Sequence, residues 1–287
     1  MIMQIIINGL LIGGLYATIG IGFSLVWGVM RVINLTHGGM IMLGAYISYT
    51  LFEYAKVDPF LSIPISMLVL YFLGIFLERY VVDPIIKSGI FMTITLTFGL
   101  EMILENIILL IWSGNYRSIT TFYSGNSFDF LGATVSIVRF FMFIAAIAIT
   151  IILYLFMYKT KIGSAIRATA LNREGAQMVG VNISKVYRIT FGVGAALAGA
   201  SGALLSSVYT ISPSMAASLI GKAFIVTVLG GLGSVNGAIF GGIVLGLAES
   251  FGSEYIGTGF QEATGFILLV LVLALRPQGL LGRKFFT

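Results

Sequence analysis

The sequence predicts an all-α fold: a polytopic transmembrane helical bundle of about 8–9 spans, with a possible re-entrant pair at 214–250. Three observations predict it. The 287-residue chain is 58% hydrophobic and 9% charged, with a mean hydropathy of +1.05, whereas a soluble domain carries roughly 25% charged residues. Its apolar runs approach or exceed the ~20 residues a helix needs to cross a bilayer, and they are not the ~10-residue alternating segments of a membrane β-barrel. Glycine is abundant, with 36 residues against a usual ~7%, which lets membrane helices approach closely.

The apolar runs fall at about 5–29, 38–54, 60–78, 90–112, 137–158, 189–211, 214–231, 236–250 and 260–275. Charge orients them. Six of the sixteen Lys/Arg residues lie in the island 159–188: Lys159, Lys161, Arg167, Arg173, Lys185 and Arg188. Concentrated positive charge marks the cytoplasmic side. Arg31, the loop 79–89 with Arg79 and Lys87, and the tail with Arg276, Arg283 and Lys284 belong to the same side. The polar loop 113–136, with Arg117 as its only cation, and the acidic stretch 249–262 with Glu249, Glu254 and Glu262 face outward. Parity then gives an outward N-terminus and an inward C-terminus. The arms 214–231 and 236–250, joined by a Gly-rich turn, are either two full crossings or one re-entrant loop. The chain reads as a single membrane domain, 1–287.

Met1–Gln4 carries no basic residue and a long Gly-rich apolar run follows, which argues against a cleaved signal peptide. With no cysteine there is no disulfide, zinc-thiolate or thiol chemistry. There is no GxxxxGK[ST] and no HExxH, and the only histidine is His37, so neither P-loop nucleotide hydrolysis nor a metal hydrolase site is expected. No regular arginine series suggests a voltage sensor. The run 192–203 faintly echoes 9–22, as an internal repeat in a transporter would.

Three places hold residues for chemistry. In Ile33–Gly39 the apolar pattern is broken by Asn34, Thr36, His37 and two glycines. This is either a broken helix offering polar groups to a ligand or an inner-face loop, in which Thr36 or Asn34 caps the next helix. Glu101 and Glu105, four residues apart in an apolar span, share a helical face. Intramembrane carboxylates usually face the bundle interior or a cavity, so they either contact a substrate ammonium or serve structure. Lys222 is their natural ion-pair partner, or contacts a carboxylate, or snorkels to the interface. In the basic island, Glu174-Gly175-Ala176 with Gly180 four residues on reads as a short cytosolic helix that another protein could grip.

The order of these features resembles the LivH-type permeases of bacterial and archaeal branched-chain amino acid ABC importers. The resemblance covers nearly the whole chain. It is carried by NGLLIGGLYATIGIGFSLVWGVMRVINLTHGGMIMLGAY at 8–46, AIRATALNREGAQMVGVN at 165–182, KAFIVTVLGGLGSVNGAIFGGIVLGLAE at 222–249 and the tail RPQGLLGRK at 276–284. It implies that the stretch Glu174–Gly180 looks like the cytoplasmic EAA-xxx-G coupling segment that docks on an ATPase, with Gly175 in place of the usual second Ala. Arg167, Glu174, Gly175, Ala176 and Gly180 are then the expected ATPase-coupling residues. It also implies the partners: a second, LivM-like permease, two ABC ATPase subunits, an extracytoplasmic substrate-binding protein and membrane lipid, with no nucleic acid. The chain itself would be a non-catalytic translocase subunit in the cytoplasmic membrane of a bacterium or archaeon. It would bind no cofactor, ATP-Mg being used by the partner subunits. Leucine, isoleucine and valine are the expected solutes, with another amino acid, urea, an amide or a sugar as the alternative. Asn34, Thr36, His37, Glu101, Glu105 and Lys222 are the candidate pathway residues. An ion-coupled secondary transporter is the remote alternative, and an intramembrane enzyme a more remote one.

Overall fold

The computed structural model describes residues 1–282. Nine long helices form the bundle among the described residues: α1 (Ile2–Met30), α2 (His37–Ala55), α3 (Pro59–Leu77), α4 (Ile90–Trp112), α5 (Ile137–Lys159), α8 (Ile183–Val208), α9 (Ala216–Gly230), α10 (Val235–Tyr255) and α11 (Gln261–Leu275). Eight of these, counting α9 and α11 with the 3₁₀ turns that precede them, are long and apolar enough to span a bilayer; α2 is the ninth and does not meet that measure. Two short helices, α6 (Lys161–Leu171) and α7 (Arg173–Met178), fill the basic island. Between α4 and α5, Ser127–Phe130 (β1) and Ala133–Ser136 (β2) pair antiparallel. Leu131 and Gly132 both have positive φ at the hairpin turn, as a two-residue turn that matches strand twist requires.

Helices α1 and α8 are buried almost all round, which is where helices apolar on every face belong. Each lies antiparallel against one long neighbour through glycines. A Cβ on Gly9 of α1 would stand 2.8 Å from Leu247 Cα of α10, and one on Gly13 2.9 Å from Ile243 Cα. On the other side, a Cβ on Gly199 of α8 would stand 2.7 Å from Ser66 O of α3. Thus α1 packs on α10 as α8 packs on α3. The first turns of α2 and α9 also meet, with Gly38 against Ala216 O and Ile220. Because α1 is the first crossing and α8 the sixth, the units α1–α3 and α8–α10 run in opposite directions, as in an inverted repeat. The faint echo between 9–22 and 192–203 falls on these two central helices.

The stretch 214–250 crosses twice. Before it, Ile211 bridges to Arg117 of the outer loop. At the far end of α9, Gly231 and Gly230 meet the C-terminal tail, where Leu280 N–H donates to Leu229 O and Leu281 N–H to Gly230 O. Helix α10 then returns, from Gly233 beside Gly28 to Ser250, whose hydroxyl donates to Ile5 O at 2.9 Å. Arg283 and Lys284 lie outside the described residues.

The island has a run of side-chain caps, each satisfying an otherwise orphan N–H at a helix start. Thr160 Oγ1 accepts from Gly163 N–H at 3.0 Å, Asn172 Oδ1 from Gly175 N–H at 2.9 Å and Asn182 Oδ1 from Lys185 N–H at 2.9 Å. They start α6, α7 and α8 in turn, with Gly180 at φ 87° making the reversal before α8. Gly175 sits directly over its own cap, so the glycine that weakens helix propensity is compensated locally by Asn172.

Candidate functional site

The broken segment lies inside the bundle. After α1 the chain turns at Arg31, φ 54°, and runs back extended to Thr36. Thr36 Oγ1 donates to Thr97 O at 2.9 Å and Thr97 Oγ1 donates to Ile33 O at 2.9 Å. Helix α2 therefore begins beside the middle of α4. There Gly39 N–H donates to Glu101 Oε2 at 2.8 Å. A carboxylate at a helix N-terminus satisfies orphan donors and complements the dipole, so Glu101 caps α2 from another helix. Gly39 is needed for this, since a Cβ there would stand 2.6 Å from Glu101 Oε2. The sequence expectation that Thr36 or Asn34 caps α2 is corrected: the Thr36 hydroxyl is taken by Thr97, and Asn34 Oδ1 is buried without a partner. His37 Nε2 donates to Ile19 O at 3.1 Å, leaving Nδ1 unpartnered against the edge of Phe23. Glu105 lies one turn beyond Glu101 and is half-buried.

Lys222 pairs with neither Glu101 nor Glu105. Its Nζ lies 3.0 Å from both oxygens of Glu249 on α10, the one ion pair among the described residues. Tyr16 OH donates to Glu249 Oε2 at 2.5 Å, Lys222 Nζ donates to Tyr16 OH at 2.8 Å, and Gln261 Nε2 donates to Glu249 Oε2 at 2.9 Å. The ammonium also stands 4.6 Å from the Tyr16 ring centroid, a cation–π distance. This cluster ties α1, α9, α10 and α11 together. Glu249, placed by sequence in an outward acidic stretch, is instead buried. Its spacing was the signal: Gly242, Gly246 and Glu249 follow the i, i+4, i+7 rhythm of one helix face, and that face lies on α1.

Two cavities are notable. An outer one of about 280 Å³ between α1, α5, α10 and α11 includes Arg139, Glu249, Glu254 and Gln261. An inner one of about 570 Å³ lies between the ends of α1 and α6 and the start of α4, and includes Arg31, Asn172, Arg173, Glu174 and Tyr187. Asn34, Thr36, His37, Glu101, Glu105 and Lys222 line neither. Within one chain Thr36, His37, Glu101 and Lys222 brace neighbouring elements. Glu101→Ala is expected to cost about 1–3 kcal/mol, the penalty of an orphaned buried donor, whereas Glu101→Gln keeps an acceptor and most of the stability. Thermal unfolding in detergent measures this, and equal losses in both variants would refute the capping role.

Of the five residues expected at the coupling segment, Glu174 is exposed in the first turn of α7 and Ala176 is buried beneath it. Arg167 turns back to the bundle, 4.5 Å from the Tyr158 ring centroid and with Nη2 3.3 Å from Ser164 Oγ. Sequence reasoning missed the apolar side of this segment. Leu171, Met178 and Val179 are 69%, 86% and 79% exposed, at the ends of the two short helices of the basic island.

Comparison with known proteins covers nearly the whole chain. A family model described as branched-chain amino acid transport system / permease component matches residues 5–275. The high-affinity branched-chain amino acid transport system permease protein BraD of Pseudomonas aeruginosa is 32% identical, over 98% of this chain and 96% of its own. The corresponding LivH of Escherichia coli K12 is 30% identical, with 98% and 96% covered. A probable LivH of Methanocaldococcus jannaschii is 28% identical, with 97% and 92% covered. No solved structure matches.

Proposed function

This chain belongs to the permease-component family of branched-chain amino acid transport systems, and from that premise we propose that it carries leucine, isoleucine and valine inward, delivered by a soluble binding protein. It is the transmembrane permease subunit of an ABC importer, a multi-pass inner-membrane protein that makes and breaks no bonds itself. Importers of this kind work with ATPase and substrate-binding components. The finer assembly we infer is a second, LivM-like permease and two ABC ATPases, with ATP-Mg consumed by the ATPases and no cofactor on this chain. The solute path would then run between the two permeases, against the exposed apolar faces of this one. The N-terminus faces outward and the C-terminus the cytosol, in keeping with the gathering of Arg31, Arg173 and the tail at one end.

One observation carries the coupling role. The exposed apolar knob of Leu171, Met178 and Val179 sits on a capped two-helix segment that both α1 and α8 support. Apolar side chains beyond the acyl region mark a protein contact. Glu174, Gly175, Ala176 and Gly180 shape its backbone, and Arg167 anchors it to α5. ATP-driven closure of the ATPases would move this segment as a unit. Transport is coupled if the inward- and outward-open states then bind solute with different free energy.

The test is co-purification from mild detergent. The Met178→Glu/Val179→Glu variant is expected to lose the ATPases while retaining the second permease, and to lose ATP-driven leucine uptake in vesicles. A parent chain that purifies alone and moves leucine without ATP would overturn the importer assembly.

A further inference from the structure

The inner cavity carries a property that transport does not require. Arg31 enters it from the end of α1 and Arg173 from the start of α7, and neither has a carboxylate partner among the described residues. Arg173 is held over the Tyr187 ring, 5.5 Å from its centroid. Two guanidinium groups bordering one cavity repel each other unless an anion lies between them, and their planar forks match phosphate oxygens. Helix α4 starts at the same cavity behind Gly89, with no side-chain cap and no acidic residue in its first turn. From the cavity rim α4 continues into Phe91 and Met92, 84% and 53% exposed, large apolar side chains that suit contact with acyl chains. The cavity is therefore bordered by two arginines and by an exposed apolar edge. Basic pockets between membrane helices on the cytoplasmic side are suited to anionic headgroups. Glu174 and Asn172 also border it, so its charge is mixed. A polyanionic headgroup is disfavoured, whereas a single phosphodiester bearing hydroxyls can use both sets of groups.

The geometry points to a binding site for one anionic phospholipid of the phosphatidylglycerol type, its phosphate between Arg31 and Arg173 and its glycerol hydroxyls toward Glu174 and Asn172. A lipid seated there joins the ends of α1 and α4 to the α6–α7 junction. It steadies the segment assigned above to ATPase coupling; that consequence rests on the proposed function, whereas the binding does not.

The test is lipid titration of the purified full-length chain in detergent, read by thermal unfolding. Phosphatidylglycerol is expected to give a saturable upward shift, phosphatidylcholine none, and inorganic phosphate none. In the Arg31→Gln/Arg173→Gln variant the apparent affinity is expected to weaken about thirtyfold, given what two cations contribute beside an anionic headgroup. Lys159→Gln/Lys161→Gln removes the same charge from the island without touching the cavity and should bind as the parent does. Arg173 is exposed, so Arg173→Gln alone provides a variant safe for folding, and it must also weaken binding. A shift from inorganic phosphate alone would make this a free-anion site and overturn the lipid assignment. Equal weakening in the Lys159/Lys161 control, or no shift from phosphatidylglycerol, would also overturn it. Because the readout needs neither ATPase nor solute, it succeeds or fails separately from the importer assembly.

Discussion

Lys222→Met is expected to be among the most destabilising single substitutions in this chain. The Glu249 side chain is 2% exposed and that of Lys222 14%, so the substitution strands a carboxylate inside the bundle. Tyr16 and Gln261 still donate to it, but its counter-charge is gone. Breaking a buried pair from one side costs about 3–5 kcal/mol. At about 2–4 °C per kcal/mol for a chain of this size, the midpoint of thermal unfolding in detergent should fall by roughly 10 °C. Removing both charges, as Lys222→Met/Glu249→Gln, should recover most of that loss, because a buried pair and a neutral replacement of similar volume are often near parity. A Lys222→Met chain as stable as the parent would mean that the cluster opens to water and does not hold α9 to α10. The cluster also borders the outer cavity through Glu249 and Gln261, so the same variant should lose the fixed arrangement of that cavity's floor.

The second large effect comes from glycine. At Gly246 a Cβ would meet Gly9 O and stand 2.6 Å from both the N and Cα of Gly13, and at Gly202 it would meet Ile41 O and stand 2.5 Å from Ala45 N. These neighbours are backbone and cannot rotate aside. Overpacking a tight interior costs about 1–3 kcal/mol, and Gly246→Ala and Gly202→Ala should fall at the upper end, about 3 kcal/mol each. Gly99 in α4 has nothing within 4 Å of the same construction. There alanine should be neutral or stabilising by up to about 1 kcal/mol, the ordinary helix preference. Thermal unfolding of the three variants side by side separates close packing from composition. Similar behaviour at all three positions would show that the α1–α10 and α2–α8 contacts do not set stability.

The apolar runs located the nine long helices, eight of them long and apolar enough to span a bilayer, because hydropathy in a bilayer is a local property and a helix must satisfy its backbone within itself. Charge marked out the island, and its Glu174–Gly180 stretch was legible as a short helix, which is α7; helix α6 and the caps at Thr160, Asn172 and Asn182 came from the structure. The family resemblance, carried by four stretches spread along the chain, settled what kind of machine this is. The partner of Lys222 was not legible, since Glu249 is 27 residues away and no local rule pairs them. Nor was the role of Glu101, which depends on the segment after Arg31 running back up beside α4. The exposed knob at Leu171, Met178 and Val179 reads in sequence as ordinary helix filling. Span and class thus follow from the order of residues alone, through interactions within a turn or two. Which carboxylate caps a helix, which one pairs with the buried lysine, and which glycines are indispensable were decided by tertiary structure, because each depends on helices far apart in sequence meeting at contact distance.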